Sequence, residues 1–162
     1  MQNELWDIYN STGEFQEKTS RRGEPLEAGD YHLVVHIWVK NAHQEYLIQK
    51  RAGELKIMPG LWATTGGSVL AGESSLQGAI RELHEEVGIA AQENEMRKIM
   101  RQIRKDSIVD VWCVQKDISI GEIFMQAEEV SEVKWADRSS IMNMVETGIF
   151  YDYGSDYFAK VF

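Results

Sequence analysis

The segment GSVLAGESSLQGAIRELHEEVGI, residues Gly67 to Ile89, decides how this chain folds. Its apolar residues recur at helical spacing and predict a helix from about Ser75 to Val87 that packs one face on a sheet; they are Leu76, Ala79, Ile80, Leu83 and Val87. Ser74 and Gln77 can form a capping box at the start of this helix. Gly88 can supply the left-handed residue that ends it.

Three glutamates form a second face of the predicted helix. Glu82, Glu85 and Glu86 stand at positions i, i+3 and i+4, and we expect them to face outward from the core. Like charges at this spacing destabilise an isolated helix by ~0.2–0.5 kcal/mol per pair, so the grouping favours a bound cation. Carboxylate oxygens select magnesium, manganese or calcium over zinc, and magnesium is the first choice. Because three glutamates alone are more commonly a solvated helix face, the surrounding residues must decide.

The surrounding residues reproduce a longer pattern, G-x5-E-x7-R-E-U-x-E-E-x-G-U with U aliphatic. The matching positions are Gly67, Glu73, Arg81, Glu82, Leu83, Glu85, Glu86, Gly88 and Ile89. In this the chain resembles the Nudix hydrolase superfamily, whose catalytic box has this spacing. The resemblance implies an α/β fold with a mixed β-sheet sandwiched between helices, α/β/α. It also implies attack of a metal-activated water on a phosphorus of a nucleoside diphosphate derivative, with magnesium, or manganese, as cofactor.

The resemblance also implies roles for single residues of the box. Glu82, Glu85 and Glu86 would hold the metal, and the backbone carbonyl of Gly66 could add a ligand. Three further residues would be structural: Gly67, Glu73 and Arg81, the last two as an ion pair that fixes the loop against the helix. Glycine at positions 66 and 67 would let the backbone approach a metal and a phosphate closely.

The general base stays open between two sets of acids. One set is Glu85 or Glu86 within the box, and the other is a cluster ahead of Trp135 that contains Glu128, Glu129 and Glu132. Within the cluster we favour Glu129. A solvated turn before a strand is the alternative interpretation of these three glutamates.

Cationic and aromatic residues before the box are candidates for binding the substrate. Lys50, Arg51 and Lys56 lie near a strand end and the loop that follows it, where they could offset phosphate charge. Trp62 could stack on a base or line an apolar pocket, although tryptophans at such positions are more often core residues. Solubility is the alternative role of the lysines and the arginine.

Other stretches resemble the branch of the superfamily related to isopentenyl diphosphate isomerase. They are ELWDIYNSTGE, YHLVVHIWV and MPGLWATTGGSVLAGES. The isomerases have Cys-Gly-His-Pro where this chain has Gly66-Gly67-Ser68-Val69, so the acid–base thiol and one metal ligand are absent here. Hydrolysis is therefore favoured over isomerisation. A Nudix module that binds a nucleotide without cleaving it is a third alternative, but such modules usually lose box acids.

The rest of the chain predicts one Nudix domain over residues 1–162, with residues 1–30 as an N-terminal hairpin extension and residues 67–89 as the box. Strands are expected at residues 31–39, 45–51, 61–65, 108–115 and 130–135. A second helix is expected at residues 139–146 with Ser139 near its cap. The last eleven residues, DYGSDYFAKVF, fit neither pattern clearly.

Composition limits the partners. The net charge is -9, which disfavours electrostatic binding to the backbone of a nucleic acid polymer. No apolar run approaches the roughly 20 residues that cross a bilayer, so no membrane partner is expected. Cys113 is the one cysteine, and with an acidic N-terminus that lacks signal-peptide character it favours a cytoplasmic location. A small-molecule diphosphate is the expected partner, and a homodimer stays open.

Overall fold

A computed structural model describes residues 3–162. Its first two strands, β1 (Leu5–Tyr9) and β2 (Phe15–Arg21), pair antiparallel as the predicted hairpin. Asn10 closes the turn, because its Oδ1 accepts hydrogen bonds from the backbone N–H groups of Thr12 and Glu14. The hairpin prediction is confirmed, although residues 1 and 2 of the expected extension lie outside the described residues.

A seven-stranded mixed sheet follows. Its strands are β3 (His32–Lys40), β4 (Glu45–Arg51), β5 (Trp62–Ala63), β6 (Thr65–Ser68), β7 (Arg97–Ile103), β8 (Ser107–Gln115) and β9 (Val130–Asp137). The main path is β5-β4-β3-β8-β7, with β6 beside β3 and β9 beside β4. β3 and β8 are parallel, and the other strand pairs are antiparallel.

Three helices cover the sheet: α1 (Ser75–Val87), α2 (Arg138–Glu146) and α3 (Ser155–Val161). α1 has the predicted bounds and both sides of the capping box, and Gly88 ends it at φ 69°. Ser139 lies in the first turn of α2, near its cap, and the cap itself is Asp137, whose Oδ1 accepts a hydrogen bond from the N–H of Ser140 at 2.8 Å. Two short 3₁₀ turns lie at Glu93–Glu95 and Ile120–Glu122.

The core lies on both faces of the sheet, as an α/β/α arrangement requires. On one face, Ala79, Leu83 and Val87 of α1 pack among alternate residues of β3. On the other face, α2 and α3 pack around the fully buried Trp38. β3 is thus apolar on both sides, which explains its continuous hydrophobic run. Among residues 3–162, no helix is both long and apolar enough to span a bilayer.

β7 and α3 were not predicted from the sequence, and the one strand expected at residues 61–65 is two, β5 and β6. β7, RKIMRQI, lies at the edge of the sheet, and its polar face hides the alternation of a strand. Its Lys98 and Arg101 form ion pairs with Asp110, which is fully buried in β8. α3 lies within the C-terminal stretch and buries Tyr157 and Phe158 against the sheet.

Candidate active site

The glycine pair before α1 brings backbone close to side chains. Gly66 and Gly67 lie in β6, opposite His36 and Val35 of β3. A Cβ atom at Gly67 would collide with the carboxyl group of Glu82, and one at Gly66 would collide with the carbonyl oxygen of Val35. Gly66 therefore requires glycine because its neighbour is backbone, whereas at Gly67 the neighbour is the movable end of a side chain. The approach of this backbone to a metal and a phosphate stays a prediction.

Glu73 and Arg81 form a two-point ion pair between the loop and α1. Arg81 Nε donates to Glu73 Oε1 at 2.7 Å, and Nη2 donates to Oε2 at 3.0 Å. Nη2 also donates to the carbonyl of Ser68 at 2.9 Å. Burial works against ionisation of Glu73, but hydrogen bonds from Arg81 and from the Leu70 N–H outweigh it, so its carboxyl pKa lies below the ordinary range.

Arg81 also contacts two glutamates of the box. Its Nη1 lies 3.0 Å from Glu82 Oε1 and 3.1 Å from Glu85 Oε2. The Glu85 side chain is 51% exposed, whereas that of Glu82 is 13% exposed. Burial raises the pKa of Glu82, and the charge and hydrogen bond of Arg81 oppose that rise. The three glutamates therefore differ in environment even though they share one helix.

Glu86 does not face outward, and on this point the sequence prediction was wrong. The residue is 4% exposed. Its Oε2 accepts hydrogen bonds from Gln49 Nε2 at 2.7 Å and from the Gly66 N–H at 3.4 Å. Glu86 follows Leu83 by three positions, so it lies at the edge of the buried stripe of α1. Burial, followed by the negative charge of Glu82, raises the pKa of Glu86 to about 8.

Of the cluster ahead of Trp135, Glu129 lies in a segment that is hydrogen-bonded to the box through Gln126. The charge of Glu129 contributes to the raised pKa of Glu86, after burial and the charge of Glu82. The chain there is held in place, because the carbonyl of Glu86 accepts from the N–H of Gln126 at 3.0 Å and the carbonyl of Glu129 accepts from the N–H of Ala52 at 2.9 Å. Glu128 is exposed, and Glu132 lies 2.8 Å from Lys50 Nζ in an ion pair.

The four candidate substrate-binding residues differ in exposure and in their partners. Lys50 is paired with Glu132. Arg51 Nε donates to the carbonyl of Ile57 at 3.0 Å, which folds the 52–60 segment back on the strand end. Lys56 is exposed in that segment. Trp62 is 9% exposed within the core, so the structure corrects its assignment to substrate binding.

Gln49 is a site residue that the sequence did not reveal. It is 1% exposed, and its side chain connects β6 to α1: Oε1 accepts from Thr65 Oγ1 at 2.9 Å, and Nε2 donates to Glu86. Its one signal is a polar residue that directly follows the apolar run Tyr46-Leu47-Ile48 of β4. Gln49 fixes the orientation of the Glu86 carboxyl.

A divalent cation fits the donor set beside the glycine pair. The donors are carboxylate oxygens, which hard cations prefer, and a cation would offset the charge of Glu82 and Glu86. Within residues 3–162, no three Asp, Glu, His or Cys side chains converge as a ready-made metal site. Glu82 and Glu85 are instead held by Arg81, and a cation would have to compete with that contact.

Comparisons with known proteins agree with this geometry. The NUDIX domain model matches residues 30–151. An uncharacterised Nudix hydrolase of Listeria innocua is 34% identical over 93% of this chain and 89% of its own length. One from Listeria monocytogenes is 33% identical with the same coverage.

Solved structures show the same fold at low sequence identity. A crystal structure from Deinococcus radiodurans matches 96% of this chain and 98% of its own with a TM-score of 0.80 at 17% identity. The NUDIX domain of Shewanella oneidensis NrtR, solved with ADP ribose, matches 86% of this chain and 92% of its own with a TM-score of 0.64 at 18% identity. With the signature at residues 67–89, these matches make the chain a member of the Nudix hydrolase family, a hydrolase of phosphoric anhydride bonds.

Proposed function

We propose that this chain is a magnesium-dependent pyrophosphohydrolase that cleaves the diphosphate linkage of a small nucleoside diphosphate derivative. The observation that carries the proposal is the crowding of two shielded carboxyls, Glu82 and Glu86, beside the glycine pair. Their arrangement is unfavourable within the chain alone and is relieved by a divalent cation. The whole chain, residues 1–162, would act as a single domain.

We assign the metal to Glu82, Glu85, Glu86 and the carbonyl of Gly66. When bound, magnesium or manganese lowers the pKa of a water and neutralises phosphate charge. Gln49 holds one oxygen of Glu86 in a fixed orientation, and Arg81 with Glu73 holds the loop against α1. Gly67 leaves the space that the Glu82 carboxyl fills.

For the general base we favour Glu129 over Glu85 and Glu86. Arg81 binds Glu85, and Gln49 with the Gly66 N–H binds Glu86. The Glu129 side chain forms no ion pair or side-chain hydrogen bond within residues 3–162, yet its charge reaches Glu86. A free carboxylate close to the metal site is suited to take a proton from water. Lys50, Arg51 and Lys56 border the same end of β4 and would meet the substrate's phosphates.

The structure disfavours the isomerase alternative. An isomerase of this branch would need a thiol at position 66, but a Cβ atom there would collide with the Val35 backbone. Backbone cannot move as easily as the end of a side chain. Incubation with isopentenyl diphosphate is therefore expected to give no dimethylallyl isomer.

The test is a substrate screen with magnesium. Nucleoside triphosphates, nucleotide sugars, dinucleotides, ADP-ribose and isoprenyl diphosphates are incubated with the protein, and products are identified by mass. Glu86→Gln and Glu85→Gln are each expected to lower turnover about 100-fold or more, while Glu93→Gln, an exposed glutamate in a 3₁₀ turn, leaves it unchanged. Full activity in both box variants would contradict the proposed roles. Binding of a nucleotide without any cleavage would identify a non-catalytic module instead.

A further inference from the structure

Two buried hydrogen bonds join a hydroxyl of β6 to a carboxyl of α1. Thr65 Oγ1 lies 2.9 Å from Gln49 Oε1, and Gln49 Nε2 lies 2.7 Å from Glu86 Oε2. Thr65 and Gln49 are each 1% exposed, and Glu86 is 4% exposed. A buried polar group that loses its partner is unfavourable, so each of the two contacts depends on the other.

The direction of both hydrogen bonds follows from the chemistry of the groups. A carboxylate can only accept, so the Gln49 amide presents its NH₂ group to Glu86. The amide oxygen then faces Thr65, and the Thr65 hydroxyl must donate to it. Thr65 is itself held in place, because it pairs with Ile37 of β3. The hydroxyl therefore fixes which end of the Gln49 amide faces α1.

Glu86 receives its hydrogen bonds from the protein on one oxygen. Oε2 accepts from Gln49 Nε2 and, at the longer distance of 3.4 Å, from the Gly66 N–H. Within residues 3–162, no hydrogen bond reaches Oε1. One oxygen is thus held by the chain, and the other is available to a cation. Hydrogen bonds of this kind orient metal ligands in proteins.

We propose that Thr65 is a positioning residue whose hydroxyl acts through Gln49 to hold Glu86 Oε2, so that Oε1 is the oxygen presented to the metal. The inference rests on the proposed function, which makes Glu86 a metal ligand. Thr65 directly precedes Gly66, whose carbonyl is a further proposed ligand. Without the hydroxyl, Gln49 Oε1 would be buried without a donor, and the amide would no longer be held in one orientation.

The neighbouring Thr64 provides a matched control. It is 4% exposed, and its Oγ1 donates to the Ile37 carbonyl at 2.7 Å, which is a contact with backbone and not with a metal ligand. Valine has nearly the shape of threonine but no hydroxyl. Thr65→Val and Thr64→Val therefore each remove one buried hydrogen bond from adjacent positions, and both are expected to lower the Tm. Only Thr65→Val should affect the metal.

Binding of Mn²⁺ to the folded, metal-free protein is measured by electron paramagnetic resonance. Thr65→Val is expected to weaken Mn²⁺ binding about 10-fold, as loss of an outer hydrogen bond to a metal ligand commonly does. Thr65→Ser keeps the hydroxyl and should stay within about threefold of the wild type. Thr64→Val should stay within about twofold, because its hydroxyl does not lead to Glu86.

A double-mutant cycle tests whether Thr65 acts through Gln49. In a Gln49→Leu background, Thr65→Val should change Mn²⁺ affinity by less than about twofold, because the connection to Glu86 is already lost. If Thr65→Val does not fold, Thr65→Ala removes the same hydroxyl and is judged by the same limits.

Four results would overturn the inference. The first is Mn²⁺ affinity in Thr65→Val within about twofold of the wild type. The second is an equal loss in Thr64→Val, which would mean general loosening of β6. The third is an undiminished effect of Thr65→Val in the Gln49→Leu background. The fourth is absence of Mn²⁺ binding by the wild type. Failure of the proposed function is a separate result, because the wild type would then cleave nothing in the substrate screen.

Discussion

On the loop side of α1, formed by Glu73, Arg81 and the Ser68 carbonyl, every charge has a partner within the chain. On the sheet side, formed by Glu82, Glu86 and Gln49, like charges are crowded and shielded from water. The pKa of Glu73 is accordingly lowered, whereas burial raises those of Glu82 and Glu86. Glutamates of one segment thus lie in two different electrostatic environments.

The contrast separates two reasons for a residue to be present in a signature. Ion pairs on the loop side make α1 and its loop one rigid unit before any ligand arrives. The sheet side is less stable than an apolar packing of the same size would be. A protein keeps such a cluster when ligand binding compensates for it, and this is the physical basis for placing the metal there.

Arg81→Met is expected to have the largest effect, because Arg81 is the one residue that joins both sides. The change leaves Glu73 without its cation and removes the contacts to Glu82 and Glu85. Loss of a partly buried pair should lower the free energy of unfolding by about 2–3 kcal/mol, measured by urea denaturation. Arg81→Lys, which keeps the charge, should recover less than half of that loss. A change below about 0.5 kcal/mol would show that the loop is held by other contacts.

The two sides should also respond oppositely to pH in metal-free protein. The Glu73 pKa is lowered in the folded state, so its contribution is present above the ordinary value of 4.5 and is lost as pH falls through the folded value. The Glu86 pKa is raised to about 8 in the folded state. The contribution of Glu86 to stability is therefore fully present below the ordinary value of 4.5 and is lost as pH rises through about 8.

Urea denaturation in EDTA at pH 5 and at pH 9 tests this difference. Glu86→Gln should stabilise the protein at pH 9 by about 2 kcal/mol and have little effect at pH 5. Glu73→Gln should destabilise it at both pH values by about 1 kcal/mol. The comparison fails if both variants shift stability in the same direction at pH 9.

The sequence revealed the loop side more fully than the sheet side. Glu73 and Arg81 could be matched as partners because both belong to one contiguous pattern, and the capping box of α1 depends on residues three positions apart. Local interactions of this kind are readable from spacing. The fold class followed from the same segment together with the apolar run of β3.

The burial of Glu86 could not be read from spacing, since it depends on Gln49 of a strand distant in sequence. A helical wheel places Glu86 at the border between two faces, and only the packing of α1 on the sheet decides which face it joins. Trp62 was expected to contact the substrate but lies in the core. An aromatic residue near a strand end is equally compatible with a ligand pocket and with a core until its burial is known.

Ser74→Ala is expected to have the smallest effect, and it tests whether the loop side and the sheet side of α1 are independent. Ser74 Oγ accepts the Gln77 N–H at 3.1 Å at the first turn of α1, whereas the proposed ligands lie in its last two turns. Loss of this cap should lower the free energy of unfolding by about 1 kcal/mol. Mn²⁺ affinity in the folded protein should stay within about twofold of the wild type, because the cap does not contact Glu82 or Glu86. The free energy of unfolding and the Mn²⁺ affinity are both measured under conditions where the variant remains folded. A loss of Mn²⁺ affinity that matches the loss of stability would mean that α1 transmits strain from its first turn to its last. The two sides would then not be independent.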